Sequence, residues 1–165
     1  MSERYKAFPP LIGTQPKILI LGTFPSPISR EKGEYYGNAQ NKFWHIIFDV
    51  FGVEFTNPGY TEKQKVLFDN SIALWDVIES CEINGAADTA IKNPVYNNAL
   101  PEFIRSNIIL KVMFNGQKAH GFYMKGIGHT AGIVLPSTSP ANARMSYDAK
   151  LSAWAKALKP MEELL

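Results

Sequence analysis

Four short apolar runs place the strongest limit on how this 165-residue chain folds, and the first and third of them lead directly into Gly22 and Asn115-Gly116. Between the runs, apolar residues recur at helical spacing, so strands alternate with helices along the sequence. Strands joined by helical crossovers form a parallel sheet, and the helices then cover both faces of that sheet. The predicted strands are Lys17–Leu21, Ile72–Val77, Ile108–Phe114 and Gly132–Leu135.

The helices are predicted in the intervening segments, where capping and turn residues mark their ends. A capping-box pattern begins at Thr61, Pro101 is compatible with a first helical turn, and Ser146 can cap the last helix. The predicted helices are Asn41–Phe51, a helix from about Thr61 to Asn70, Leu100–Ser106, Gln117–Lys125 and one from Ser146 to Leu158.

Two segments are predicted to lack regular structure. Residues 1–16 are expected to form an arm that packs through Phe8 and Leu11, because its prolines block helices and strands. Residues 83–92 are predicted to be a loop with at most one helical turn. No linker or internal repeat interrupts the pattern, so we expect residues 1–165 to form a single domain.

The composition excludes several classes of protein. A net charge of +2 excludes a polybasic tail, although it leaves room for a local basic groove. The single Cys81 excludes an intrachain disulfide, and the three separated histidines have no carboxylate-rich metal signature near them. No apolar run approaches the roughly 20 residues of a membrane span, and the polar start lacks a secretory signal. We therefore expect a soluble, cytoplasmic protein.

The loop after the first strand, residues 22–40, is much longer than an ordinary strand-to-helix connection of about 2 to 6 residues. Its aromatic residues argue against disorder, since disordered segments are poor in them. Ligands bind parallel sheets at the carboxyl ends of the strands, where this loop would meet residues 115–116 and 136–144. The pattern therefore predicts a site at this edge without identifying its reaction.

Five motifs occupy these predicted positions: GTFPS, YYGNAQNKFW, LWDV with Cys81, Gly85 and Asp88, FNGQKA, and LPSTSPANA. In this order, from Lys17 to Ala143, they resemble the uracil-DNA glycosylase superfamily, and within it the hypoxanthine-DNA glycosylase (DNA-deoxyinosine glycosylase) branch. The resemblance implies a three-layer α/β/α sandwich around a four-stranded parallel sheet, without metal or cofactor. It also implies a nucleoid-associated monomer that binds double- or single-stranded DNA containing a deaminated base.

Two amides are the expected catalytic residues. The resemblance aligns Asn41 with the asparagine of the family's NxFW segment and implies that it positions the attacking water. Phe24 stands where other branches carry an Asp or Asn for this task, so the first motif lacks that group. Asn38 is the second choice. From the residues alone, helix capping is the better interpretation of Asn41, and Asn38 suits a turn or a cap.

The expected base-binding residues surround the same loop. The resemblance implies that Tyr36 stacks on the extruded base and that Asn115 reads its Watson–Crick edge. Backbone N–H groups near Thr23 could receive the charge of the departing base. From the residues alone, Tyr36 equally suits a core or lid position, and Asn115 suits a simple turn. The full predicted set is Gly22, Thr23, Phe24, Pro25, Tyr36 and Asn115.

The last motif is the expected contact with the DNA backbone, because hydroxyls and backbone N–H groups suit phosphate oxygens. The predicted DNA-binding residues are Ser137, Thr138, Ser139, Pro140 and Arg144. The His or Asn that other branches carry in this motif is absent. The alternative is a plain loop that leads into the last helix.

These observations favour a glycosylase that removes hypoxanthine, and also uracil or xanthine, from DNA. One alternative is an enzyme whose main substrate is uracil in mismatches. Another is a non-catalytic module that binds damaged DNA, since two catalytic groups of related families are missing. A nucleotide hydrolase is less well supported, because the sequence lacks a GxxxxGK phosphate loop and an acidic metal site.

Overall fold

A computed structural model of the protein describes residues 3–83 and 91–159. Within these ranges the elements are, in chain order, β1 (Glu3–Lys6), β2 (Ile18–Gly22), α1 (Pro27–Lys32), α2 (Phe43–Val50), α3 (Tyr60–Asp69), β3 (Ile72–Asp76), β4 (Ile78–Ile83), β5 (Ile91–Tyr96), α4 (Leu100–Ser106), β6 (Lys111–Asn115), α5 (Gln117–Gly126), β7 (Ile133–Leu135) and α6 (Tyr147–Leu158).

The central element is a parallel sheet with the strand order β3–β2–β6–β7. Strand β2 lies inside it and is wholly buried. Ile18 and Ile20 pack on one face with residues of α2 and α6, whereas Leu19 and Leu21 pack on the other with residues of α4 and α5. Successive side chains of a strand point to opposite faces, so this alternation builds two cores. The predicted three-layer α/β/α sandwich is confirmed.

The helix predictions are confirmed where apolar spacing and a capping residue agree. Ser146 accepts a hydrogen bond from the Ala149 N–H at 3.1 Å and starts α6. Pro101 lies in the first turn of α4, where it removes no helical hydrogen bond. The capping box at Thr61 is wrong, because α3 begins at Tyr60 and its N-cap is Gly59. Glycine at this position supplies no side-chain cap.

A second, antiparallel sheet with the order β1–β4–β5 corrects two predictions. The arm of residues 1–16 is not wholly irregular, since it contributes β1, which pairs with β4. The segment 83–92 is strand at both of its described ends, while residues 84–90, with Gly85 and Asp88, lie outside the described residues. The predicted packing of Phe8 and Leu11 against the core is confirmed.

The long loop after β2 contains a short helix that was not predicted. The Ser26 hydroxyl caps α1 by accepting from the Ser29 N–H at 3.2 Å, and Pro27 follows in the first turn. Gly33 ends the helix in the left-handed region at φ 69°. Among the described residues, no helix combines the length and the apolar character that crossing a membrane requires.

Candidate active site

The strand register places the ends of all four central strands side by side. Gly22 of β2 is level with Asp76 of β3, and Asn115 of β6 is level with Leu135 of β7. Strands β2 and β6 are direct neighbours, so these four residues form one row along the carboxyl edge of the sheet. This is the edge at which the sequence predicts a site.

Gly22 leaves room for two side chains that meet above the row. A Cβ atom at this position would lie 2.7 Å from Asp76 Oδ1 and 2.9 Å from the Tyr36 hydroxyl. Both distances are too short for a methyl group, so any larger residue would displace one of the two polar groups. The missing side chain thus allows the tyrosine to reach back from the loop to the strand ends.

Tyr36 has an unfavourable backbone conformation, which contacts with neighbouring residues stabilise. Its φ of 52° lies in the left-handed region, which residues other than glycine seldom adopt. Its ring stacks on Phe43, with the ring centroids 4.1 Å apart and the planes inclined by 24°. The Trp44 indole donates to the carbonyl of Tyr35 at 2.9 Å and fixes the preceding residue.

The Tyr36 hydroxyl is a neutral hydrogen-bonding group. Burial raises its pKa, and the negative charge of Asp76 raises the pKa further. A hydrogen bond from the Asn115 side chain opposes these effects without cancelling them. The phenol therefore keeps its proton at physiological pH and lies close to both the carboxylate and the amide.

Asn115 and Thr138 form a reciprocal pair that joins β6 to the last motif. The Asn115 amide nitrogen donates to Thr138 Oγ1 at 2.9 Å, and its oxygen accepts from the Thr138 N–H at 3.0 Å. Gly116 lets the two segments approach, since a Cβ there would lie 2.9 Å from Ser137 Cβ. The second amide hydrogen is used by the Tyr36 hydroxyl, so one lone pair of the Asn115 oxygen remains for other partners.

Asn41 and Asn38 both make the local contacts that the sequence allows. Asn41 Oδ1 accepts from the Phe43 N–H at 2.9 Å, and Asn38 Oδ1 accepts from the Gln40 N–H at 3.0 Å. The helix-capping interpretation of Asn41 is wrong in its detail, because the N-cap of α2 is Lys42 and the Asn41 contact closes a turn just before the helix. The same contact fixes which way the amide faces and leaves one lone pair of its oxygen open. Through Phe43, Asn41 lies close to Tyr36.

The first motif contributes backbone rather than side chains to this edge. The Phe24 ring packs with Ile78 and Cys81 beneath the second sheet, so only the backbone of Phe24 is left to meet a base. The carbonyl of Thr23 accepts from the Ile78 N–H at 3.2 Å, and that of Pro25 accepts from Arg30 at 2.7 Å.

The predicted DNA-binding loop is only partly accessible. Pro140 and Arg144 are exposed, and Ser137 and Ser139 are half-buried. Thr138 is 0 % exposed and its hydroxyl accepts from Asn115, so the expected contact of this side chain with DNA is wrong. Thr138 holds the loop against β6 instead.

Asp76 is the residue of this edge that sequence reasoning missed. It is 4 % exposed and presents its carboxylate at the end of β3, beside Gly22 and Tyr36. Its position near the end of the predicted second strand was the available signal, since Gly22 and Asn115, which follow two other predicted strands, were assigned to the site.

Two further features of the described residues bear on the chemistry. Within 3–83 and 91–159, no three His, Cys, Asp or Glu side chains are grouped so that they could hold a metal ion. A cavity of about 340 Å³ lies elsewhere, between the N-terminal arm and the segment that follows β5. Its lining includes Phe8, Trp75 and Asn98 but none of the predicted site residues. The row of strand ends is therefore the better candidate.

Comparison with known proteins places the chain in a family. Residues 9–159 match the model of the family described as the uracil DNA glycosylase superfamily. The hypoxanthine DNA glycosylase of Methanosarcina barkeri is 34 % identical over 157 residues, which cover 93 % of this chain and 98 % of that protein. That of Methanosarcina acetivorans is 35 % identical over 153 residues, covering 90 % and 94 %.

A solved structure agrees with the sequence comparison. The solution NMR structure of a Methanosarcina acetivorans protein described as a uracil DNA glycosylase superposes with a TM-score of 0.78. The two are 32 % identical, and the match covers 97 % of this chain and 99 % of that one. Matched along most of its length in both sequence and fold, the chain belongs to the uracil DNA glycosylase superfamily and is a DNA glycosylase.

Proposed function

We propose that this glycosylase releases hypoxanthine from deoxyinosine in DNA by hydrolysing the N-glycosidic bond. The observation that carries the proposal is the meeting of the Tyr36 ring, the Asp76 carboxylate and the Asn115 amide above Gly22. The two Methanosarcina relatives named hypoxanthine DNA glycosylases support this choice of base.

The target nucleotide must leave the duplex, because the catalytic groups of the enzyme cannot reach its glycosidic bond while the base is stacked. Extrusion costs a few kcal/mol, which stacking and fixed hydrogen bonds offset. One face of the Tyr36 ring is covered by Phe43. The base stacks on the opposite face, with its Watson–Crick edge directed toward the strand ends.

Asp76 supplies base selectivity in this arrangement. Hypoxanthine carries a donor, N1–H, where adenine carries an acceptor, and a carboxylate can only accept. Hypoxanthine N1–H therefore donates a charge-assisted hydrogen bond to Asp76, whereas adenine would face the carboxylate with a lone pair. Asn115 is oriented by Thr138, donates to the Tyr36 hydroxyl, and turns the remaining lone pair of its oxygen toward the same edge.

Hydrolysis needs a water molecule below C1′ and a place for negative charge on the base. The open lone pair of Asn41 Oδ1 accepts a hydrogen bond from that water and aims its oxygen at the sugar. Little basicity is required, because the sugar already has oxocarbenium character as the base departs. The backbone N–H groups of Thr23, Phe24 and Ser26 stabilise the leaving base.

Duplexes that carry one deoxyinosine, deoxyuridine or deoxyxanthosine test the proposal. After incubation and alkali, we expect strand scission at deoxyinosine and detection of free hypoxanthine. Tight binding of the lesion without released base would instead identify a damaged-DNA-binding module. An undamaged duplex of the same sequence is the control.

Uracil is the second candidate substrate, because the superfamily and the NMR structure carry that name. Its N3–H is also a donor and could meet the same carboxylate. Single-turnover rates on deoxyinosine and on deoxyuridine opposite guanine separate the two. A faster rate on deoxyuridine would make uracil the main substrate.

A further inference from the structure

The peptide groups on both sides of Tyr36 are fixed by side-chain hydrogen bonds. Before the tyrosine, the Trp44 indole donates to the carbonyl of Tyr35 at 2.9 Å. After it, the N–H of Gly37 donates to Ser29 Oγ at 2.9 Å. Because the orientations of these two peptide planes define φ and ψ of the residue between them, the two contacts select the left-handed conformation of Tyr36.

Two further side chains bind the outer ends of the same segment. The Tyr60 hydroxyl accepts from the Tyr35 N–H at 3.0 Å. The Lys32 ammonium donates to the carbonyl of Gly37 at 3.0 Å. Among the described residues, four side chains thus bind the main chain directly before and after the tyrosine. They come from α1, α2 and α3, so three helices hold the segment.

Ser29 is a buried polar residue at the centre of this arrangement. It is 2 % exposed, and its oxygen accepts from Gly37 and also from the Ser26 hydroxyl at 3.1 Å. Gly37 packs against α1 so closely that a Cβ there would lie 3.3 Å from the carbonyl oxygen of Glu34. Since Gly37 is itself buried, loss of the Ser29 hydroxyl would leave its N–H without an acceptor.

The backbone of Tyr36 is strained, and its surroundings impose the strain from several sides. A left-handed conformation is unfavourable for a residue with a Cβ atom and persists only where neighbouring contacts determine it. The four contacts bind main-chain groups, so they position the Tyr36 ring without occupying its face. The ring is therefore ordered before a base arrives, and binding of the base does not have to supply the cost of ordering it.

We propose that Ser29, Lys32 and Tyr60 are positioning residues, which hold Tyr36 before DNA binds in the conformation that stacks on the extruded base. The inference deepens the proposed function and rests on it for the base as stacking partner. The three residues then act on the reaction only through Tyr36. Helix α1, which carries Ser29 and Lys32, is the support of the stacking ring.

A double-mutant cycle measures whether Ser29 acts through Tyr36. The measured quantity is the single-turnover rate on deoxyinosine divided by the half-saturating enzyme concentration. Ser29→Ala should lower this efficiency by about 10-fold, the factor expected when one buried group loses its hydrogen-bond partner. Tyr36→Asn removes the ring, and asparagine tolerates the left-handed backbone. In that background Ser29→Ala should change the efficiency by less than about twofold, and a loss of about 10-fold in both backgrounds would overturn the proposal.

A fluorinated tyrosine placed at position 36 alone tests the same point without DNA. The unaltered protein should give a single narrow fluorine resonance, because one conformation of the ring is held. Ser29→Ala and Tyr60→Phe should each broaden this resonance or add a second one. An unchanged resonance in Ser29→Ala would overturn the proposal, whatever its rate of base release.

The exposed Lys32 allows a rescue experiment. Lys32→Met removes the donor to the carbonyl of Gly37 and should lower the efficiency less than Ser29→Ala does, since the lost contact is open to water. Lys32→Arg keeps a donor and should restore the efficiency. A loss in Lys32→Arg equal to that in Lys32→Met would exclude Lys32 from the positioning residues.

Two matched controls delete the same chemical groups elsewhere in the protein. Ser146→Ala removes the hydroxyl that caps α6, and Tyr123→Phe removes a hydroxyl that lies 2.6 Å from Thr130 Oγ1. Both should lower the thermal midpoint but leave the fluorine resonance and the efficiency unchanged. Losses of efficiency equal to those of Ser29→Ala and Tyr60→Phe would show that stability alone sets the rate, which would overturn the proposal.

The positioning role and the proposed function fail in different ways. If no lesion releases its base but the fluorine resonance changes in Ser29→Ala, the proposed function is refuted and the support of Tyr36 by α1 stands. If Ser29→Ala releases hypoxanthine as efficiently as the unaltered protein, the positioning role is refuted and the proposed function stands.

Discussion

At the scale of single residues, Asn41 has one structural contact and one proposed catalytic contact on the same oxygen. Asn41→Ala removes both. Loss of the turn at the helix start is expected to cost about 1 kcal/mol of stability. Loss of the aligned water is expected to lower single-turnover base release by about 10² to 10³-fold, with little change in DNA affinity.

Asn41→Ser separates the two contacts, because serine still accepts from a nearby backbone N–H but is too short to reach the water. Its thermal midpoint should stay near that of the unaltered protein while its rate falls like that of Asn41→Ala. Recovery of the rate in Asn41→Ser would show that Asn41 serves only the helix start.

Asp76→Asn tests base selectivity at the end of β3. The change replaces a charged acceptor by an amide and should lower hypoxanthine release by about 10 to 10²-fold, since such a buried hydrogen bond contributes about 1.5 to 3 kcal/mol. Rates on deoxyinosine under single-turnover conditions measure this loss. An unchanged rate with a lowered thermal midpoint would assign Asp76 to holding the Tyr36 hydroxyl alone.

These residues also mark how far the sequence could predict the site. Motif order led to Tyr36 and Asn115, which the structure brings together. It also led to Asn41, whose role in the reaction stays a prediction. It could not show that Phe24 turns away or that Thr138 is buried, because side-chain direction depends on packing between distant segments. Asp76 was passed over for the same reason.

At the scale of elements, helix α2 carries His45, whose surroundings disfavour the protonated form of the imidazole. The His45 ring stacks on Phe55 at 3.9 Å, and its Nδ1 has no hydrogen-bond partner among the described residues. Burial lowers the pKa of His45, and Lys42 lowers it further. Asp49 raises the pKa and Lys63 lowers it, without reversing the direction.

Stability should therefore fall as the pH falls from about 7 to about 5. In that pH window His45 is protonated in the unfolded chain, where histidine has its ordinary pKa of about 6.5, but stays largely neutral in the folded chain. His45→Phe should flatten the decline of the urea midpoint, whereas His129→Gln, at an exposed position, should not. The same decline in both variants would contradict the assignment to His45.

The second sheet shows which elements the sequence could not predict. Its strands pair across long sequence separations, as between Tyr5 and Cys81. Strand β5 contains Pro94 and a residue with positive φ, Asn93, both unusual inside a strand. Half-exposed edge strands of this kind lack the continuous apolar run that revealed the central strands.

At the scale of the whole molecule, stability should be highest in β2. Ile18 to Leu21 are 0 % exposed and lie between β3 and β6 with a core on each face. Native-state hydrogen exchange should be slowest at these amides and faster in β1, whose residues are mostly exposed. Residue-resolved exchange measured by NMR checks the order, and equal rates in β1 and β2 would contradict it.

The overall architecture followed from the sequence because its determinants are local. Each buried parallel strand is a short apolar run, and the helices between them carry their own spacing and caps. The site required more, since its geometry depends on how loops from four strand ends meet. The resemblance of the motifs predicts which residues form that site, but it does not predict the contacts between them.

The paired hydrogen bonds between Asn115 and Thr138 make the tip of β6 and the loop beside it one rigid piece. In the proposed complex, any displacement of that loop by the DNA backbone would also displace the Asn115 amide beside the extruded base. Binding of the DNA backbone and recognition of the base would thus be coupled. A duplex bound in the wrong position would weaken the hydrogen bonds to its own base. A substitution of Asn115 or Thr138 alone would leave a buried donor or acceptor without a partner. We therefore expect the two residues to change together during evolution.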